Sequence, residues 1–153
     1  MKEFKVLMVD DEEEFIKTLD ERVKMRNLDS NVAFSGEEAL EILEKEAPDV
    51  MLLDLKMPGM DGMEVLRRAK AAYPGVQVVM LTGHGSDQDE AEARRLGVFD
   101  YLRKPIPIEN LMKVLKAAYE KKIQDSLVAA TFAEAGEYGT AQEIMDKGKK
   151  NKK

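Results

Sequence analysis

Groups that could handle a phosphate recur at one kind of place in this chain, directly after short apolar runs. Asp10, Asp11 and Glu12 follow FKVLMV (4–9), and Asp54 closes DVMLLD (49–54). Thr82 follows VQVVML (76–81), and Lys104-Pro105 lies just beyond VFDYL (98–102). Burying a carboxylate at the end of an apolar strand is costly unless something uses it. Carboxylates held close repel and raise at least one pKa, unless a cation joins them. An all-oxygen site with open positions suits Mg²⁺, which keeps waters and takes one or two carboxylates plus phosphate oxygens. A lysine and a hydroxyl beside it suit the same oxygens as charge and hydrogen-bond donor. Such a pocket would bring a phosphoryl group to a carboxylate. Asp54 is the natural nucleophile, because carboxylates form acyl phosphates.

The apolar runs must be strands for this convergence to happen. Five are present, the weakest being SNVAF (30–34), and stretches of helical period separate them near 12–26, 36–47, 62–72 and 87–96, with another from about 107. Ser35 with Glu38, and Ser86 with Asp89, have the spacing of helix-start caps, and Gly97 stands where a left-handed helix end is cheapest. Asp61-Gly62 reads as loop and capping chemistry. Alternating strands and helices predict an α/β fold, a doubly wound five-stranded parallel sheet with helices on both faces. The polar-flanked run at 30–34, followed only by Ser35 and Gly36, suits an edge. The other four are then neighbours in the order 1-3-4-5. At ~4.8 Å per strand their carboxyl ends fall within ~15 Å, beside the switch point where such sheets bind ligands.

Composition narrows the function classes. The chain has 153 residues, 44% hydrophobic and 35% charged, enough for one domain with a core and a modest appendage. It has no cysteine, which removes disulfides, thiolate metal sites and cysteine nucleophiles. A net charge of −6 argues against nucleic acid as the general partner. No apolar run approaches the ~20 residues of a membrane helix, and MKEFKVLMVDDEEEF is unlike a signal peptide, so the expected location is cytoplasmic.

Four stretches together carry a family resemblance: VDDEE (9–13), LLDLKMPGMDG (52–62), LTGHG (81–85) and YLRKP (101–105). In order and in register over about residues 4–121, they resemble the response-regulator receiver domain of two-component signalling. The resemblance implies a flavodoxin-like sheet of order 2-1-3-4-5 and Asp54 as phosphoacceptor. It implies Asp11 as a direct Mg²⁺ ligand, Asp10 acting largely through water, and the Lys56 backbone carbonyl completing the protein ligands with Asp54. Lys104 would pair with the phosphoryl group and Thr82 would bond to it. Tyr101 would turn inward as Thr82 moves, and Lys56 and His84 would border the path of attacking water and tune phosphate lifetime. Gly83 would leave room for a bulky donor, and the Lys104–Pro105 peptide would be cis. The implied protein is a signalling switch rather than an enzyme, one that assists its own phosphorylation and dephosphorylation. Its partners would be a sensor histidine kinase or phosphotransfer protein and a downstream protein target.

Other readings fit less well. A flavin-type cofactor binder would want a Ser-, Thr- and Gly-rich loop after the first strand, where this chain has DDEEE. An aspartate-dependent phosphatase would want an Asp-x-Asp pair there, and Asp10 and Asp11 are adjacent. The receiver is taken as residues 1–122 and the remainder, 123–153, as a helical hairpin extension with a frayed, lysine-rich tail. Apolar or small residues recur at Ile108, Met112, Leu115, Tyr119, Ile123, Leu127 and Ala130, predicting a fifth helix that runs on to around 134. Thr140 with Glu143 would cap a second helix, whose Tyr138, Ala141, Ile144 and Met145 would cover Leu127, Val128 and Phe132. A homodimer through that surface is the second way to cover it. The expected output is a stand-alone receiver acting through protein contacts; the alternative is a small transcriptional regulator whose hairpin touches DNA.

Overall fold

A computed structural model describes residues 4–134. The strands are β1 (Lys5–Val9), β2 (Asp29–Ala33), β3 (Val50–Leu53), β4 (Gln77–Thr82) and β5 (Asp100–Arg103). The helices are α1 (Glu13–Met25), α2 (Gly36–Lys45), α3 (Gly62–Ala72), α4 (Asp87–Arg95) and α5 (Ile108–Glu134). All pairings are parallel, in the order β2-β1-β3-β4-β5. The weak, polar run is an edge strand because it offers too little apolar surface to be covered on both faces.

The inner strands are buried along their length, and the pleat sends alternate residues to opposite faces. Leu7, Val9, Met51, Leu53, Val78 and Met80 meet Ala39, Leu43, Val65, Leu66 and Ala93 from α2, α3 and α4. Val6, Met8, Val50, Leu52, Val79 and Leu81 meet Ile16 and Val23 of α1 and Leu111, Leu115 and Ala118 of α5. Two apolar layers therefore clamp the sheet and fix its register, since a one-residue slip would turn both faces inside out.

Local chemistry sets the helix starts. Ser35 Oγ accepts from the Glu38 N–H, and Asp61 Oδ1 from the Glu64 N–H. Ser86 and Asp89 form a reciprocal capping box. Gly97 ends α4 with a φ of +98°. Of these, the Asp61 and Ser86 caps hold the turns that close the loops after β3 and β4.

Chain contacts divide the molecule into Met1–Tyr119 and Glu120–Lys153, with α5 continuous across the boundary. The periodic stripe through Tyr119 and Ile123 meets no helix breaker, which is why no cap marks the change. In the second unit Leu127 and Val128 are 60% and 58% exposed. The second helix expected from Thr140 onward lies outside the described residues.

Candidate functional site

Register brings the site together. Val9 pairs with Leu53, Leu53 with Met80, and Thr82 with Arg103. The ladder continues one residue further: the Asp54 N–H donates to the Val9 carbonyl at 2.9 Å and the Lys104 N–H to the Thr82 carbonyl at 3.0 Å. Asp10, Asp54, Thr82 and Lys104 are thereby fixed at one edge by backbone bonds. Asp10 and Asp54 are each 2% exposed and Thr82 1%.

Asp10, Glu12 and Asp54 each present a carboxylate oxygen within 4.8 Å of the others. The Lys104 ammonium donates to Asp10 Oδ2 at 2.7 Å and lies 3.4 Å from Glu12 Oε1 and 4.1 Å from the centre of the Phe15 ring. Asp10 Oδ1 accepts from the Glu12 N–H at 2.9 Å. Asp54 Oδ1, by contrast, is buried with no hydrogen-bond partner among the described residues. Burial, and then the negative charge of Asp10, push the Asp54 carboxyl up to about 6. The Lys104 charge, the Thr82 hydroxyl and the Leu55 backbone N–H act the other way and do not offset it. Burial alone would lower Lys104, but its bond to Asp10 and the charges of Asp10, Asp54 and Glu12 raise it above the ordinary ammonium value.

The donor set suits a hard divalent cation. Three carboxylate oxygens converge, and Asp54 carries a buried oxygen without a partner among the described residues that a cation would satisfy. The neighbouring ammonium adds a second positive charge for an incoming phosphate.

Four of the residues expected from sequence gather here, namely Asp10, Asp54, Thr82 and Lys104. Asp11 is half-exposed and contributes no oxygen to the three-carboxylate cluster, where Glu12 stands instead. Glu12 is at the N-cap of α1 but makes no capping bond, so its longer side chain can turn back to the pocket. The acidic run DDEEE was the available signal, but nothing in it says which acid turns inward. Lys56 and His84 are exposed; the Lys56 ammonium comes 4.0 Å from Asp89, and the His84 N–H donates to Thr82 Oγ1 at 3.2 Å. The Lys104–Pro105 peptide is cis.

Tyr101 points inward and is 5% exposed, its hydroxyl buried and without a partner among the described residues. Burial pushes the phenol up from its ordinary value. The space it fills exists because residue 85 is glycine: a Cβ there would overlap the Tyr101 hydroxyl oxygen. Arg103 closes the arrangement, with its guanidinium 5.5 Å from the Tyr101 ring centre and donating to the Gly85 carbonyl at 2.8 Å. Gly83 is less demanding, since a Cβ there would meet only Lys104 side-chain carbons at 3.8 Å. Sequence reasoning singled out Gly83 and missed Gly85, because both read as loop glycines until Tyr101 is placed.

Comparison with known proteins agrees with this geometry. The family model described as "Response regulator receiver domain" matches residues 6–116. A response regulator receiver domain protein from Clostridium thermocellum shares 32% identity at a TM-score of 0.75, covering 78% of this chain and 97% of its own. A CheY-like receiver domain protein from Methanospirillum hungatei shares 25% at 0.77, covering 79% and 97%. NtrX from Brucella abortus, solved with ADP, shares 27% at 0.79, covering 89% of this chain but 30% of NtrX.

Proposed function

This chain belongs to the family of response regulator receiver domains, and we propose that its phosphoacceptor is Asp54. Receiver domains are signalling switches that work between histidine kinases and downstream effectors. The observation that carries the assignment is the Asp54 carboxylate, buried among acids with one oxygen left without a partner. Stability alone gives no reason to keep such a group, and functional sites are where such groups collect.

In the proposed reaction, an Asp54 oxygen attacks the phosphorus of a phosphohistidine on a sensor kinase or phosphotransfer protein. An O–P bond forms, and the P–N bond breaks with its electron pair returning to the imidazole. Asp10, Asp54, the Lys56 carbonyl and an acid from the Asp11–Glu12 pair would hold Mg²⁺. When bound, Mg²⁺ neutralises these acids and the phosphoryl oxygens. Lys104 swings to pair with the new dianion, and the Thr82 hydroxyl donates to it. Movement of Thr82 toward the phosphoryl group reaches Tyr101, which packs against the same loop through Gly85. Lys56 and His84, both exposed beside the pocket, meet water approaching the acyl phosphate. The output is a change of protein contacts with a downstream target.

Incubation with acetyl phosphate and Mg²⁺ should add one acid-stable, base-labile phosphoryl group. Asp54→Asn should abolish it; labelling of Asp54→Asn at the parent level would show that another residue is the acceptor. The double substitution Asp10→Ala, Asp11→Ala should eliminate measurable Mg²⁺ binding, and Glu12→Gln should weaken it. Unchanged Mg²⁺ affinity in the double variant would remove the metal from the scheme.

A further inference from the structure

The Lys104 ammonium has three hydrogens and three attractive neighbours, and Asp54 is not one of those it bonds. It donates to Asp10 Oδ2 at 2.7 Å, lies 3.4 Å from Glu12 Oε1, and sits 4.1 Å from the centre of the Phe15 ring. Asp10 and Glu12 are two of the three carboxylates that would grip a divalent cation. The ammonium is therefore paired with two of the carboxylates that the cation would share. Phe15 lies on α1, is half-buried, and packs against the layer that includes Leu81 and Leu111. It also lines a groove of about 430 Å³ together with Leu81, Lys104, Pro105 and Ile106. Its ring is held by packing, and its face supplies the attraction a cation finds over an aromatic ring.

We infer that Phe15 is a positioning residue: its ring holds the Lys104 ammonium on Asp10 and Glu12, in competition with the divalent cation. The resting protein then has its own cation parked on two of the acids and on the α1 side of the pocket, leaving the Asp54 carboxylate free to act as nucleophile. Arrival of the metal displaces Lys104, and the displaced ammonium is the one that pairs with the phosphoryl group. This rests on the metal and phosphoacceptor reading given above. It adds a cost to metal binding that depends on an aromatic residue outside the motifs.

The consequence can be read with a double-mutant cycle of Phe15→Leu and Lys104→Gln, plus Phe15→Tyr as the conservative variant. Mg²⁺ affinity would be followed by calorimetry in the full chain. Phe15→Leu should tighten Mg²⁺ binding about threefold, the size of a partly exposed cation–ring contact. Phe15→Tyr should leave it near the parent value, and in the Lys104→Gln background Phe15→Leu should have no effect. A second cycle, by urea unfolding without Mg²⁺, should show a coupling of about threefold in the folding equilibrium constant. Equal effects of Leu and Tyr at position 15, or an effect of Phe15→Leu that persists without Lys104, would overturn the inference and leave Phe15 as core packing. A parent chain that binds no Mg²⁺ and accepts no phosphoryl group overturns the proposed function instead, and with it the competition. The urea cycle then decides the ring contact by itself.

Discussion

The two ends of the one sheet treat charge in opposite ways. At the amino end, Lys5 pairs with Glu46, both exposed, and the Lys5 N–H donates to Asp49 Oδ2 at 2.9 Å. At the carboxyl end, Asp10, Asp54 and Thr82 are almost wholly removed from solvent. Among the described residues, the two buried side-chain atoms without a partner, Asp54 Oδ1 and the Tyr101 hydroxyl, both belong to this carboxyl-end assembly. A parallel sheet places all its strand ends of one kind together, so one end can be kept hydrated and cheap while the other concentrates strained chemistry. Buried polar atoms in folded proteins are nearly always satisfied, so their unsatisfied state here supports the proposed site at this end.

The sharpest way to break the contrast is through Asp54 itself. Its carboxyl is pushed to about 6 in the folded chain, against an unfolded value of 3.8. Between those values the folded state binds the extra proton, so stability falls as pH rises from about 4 to about 6 and stays lowered above. The full penalty is about 3 kcal/mol from a shift of roughly two units. Urea titrations without Mg²⁺ should show this loss, and Asp54→Asn should remove the pH step and stabilise the chain at pH 7 by about 1–2 kcal/mol. Saturating Mg²⁺ should flatten the step in the parent. A parent whose stability does not change from pH 4 to 7 would show that the carboxylate is better solvated than its burial implies.

An intermediate effect is expected from Gly85→Ala, because the new methyl group competes with the Tyr101 hydroxyl for the same space. Overpacking of this kind costs about 1–3 kcal/mol, or is avoided if Tyr101 turns out to solvent. Tyrosine fluorescence and urea unfolding separate the two outcomes, and in a Tyr101→Leu background the cost should shrink. A full cost that survives without the tyrosine would locate the strain in the loop backbone instead.

The smallest effect belongs to the amino end. Lys5→Ala should cost no more than about 0.5 kcal/mol, because an exposed ion pair gains little in water and is screened by salt. A loss above ~1.5 kcal/mol on urea unfolding would mean that the amino end is as energetically loaded as the carboxyl end. The contrast between them would then fail.

Much of this arrangement was legible in the amino-acid sequence, for reasons that can be named. The strand order follows from four well-defined apolar runs and one poor one, since a weak run is stable only at an edge. Asp54, Asp10, Thr82 and Lys104 follow from standing just past those runs, because parallel pairing carries strand ends to a common edge. The length of α5 follows from an unbroken apolar stripe through Tyr119 and Ile123. Even the caps Ser35, Asp61 and Ser86 are local, each needing only a partner three residues on.

What tertiary structure alone decided concerns direction rather than position. Asp11 and Glu12 are adjacent and chemically alike, yet the side chain in the acidic cluster is that of Glu12, a choice made where the chain turns into α1. Gly85 and Gly83 are both loop glycines, and only the placement of Tyr101 from β5 makes a side chain at one of them compete for occupied space. Phe15 looks like an ordinary apolar residue of α1 until Lys104, nearly ninety positions later, is laid across its ring. Spacing along a chain determines which backbone positions meet, through the ladder and its register. Which way each side chain turns there is settled by packing and charge from elements distant in sequence, and those are present only once the chain has folded.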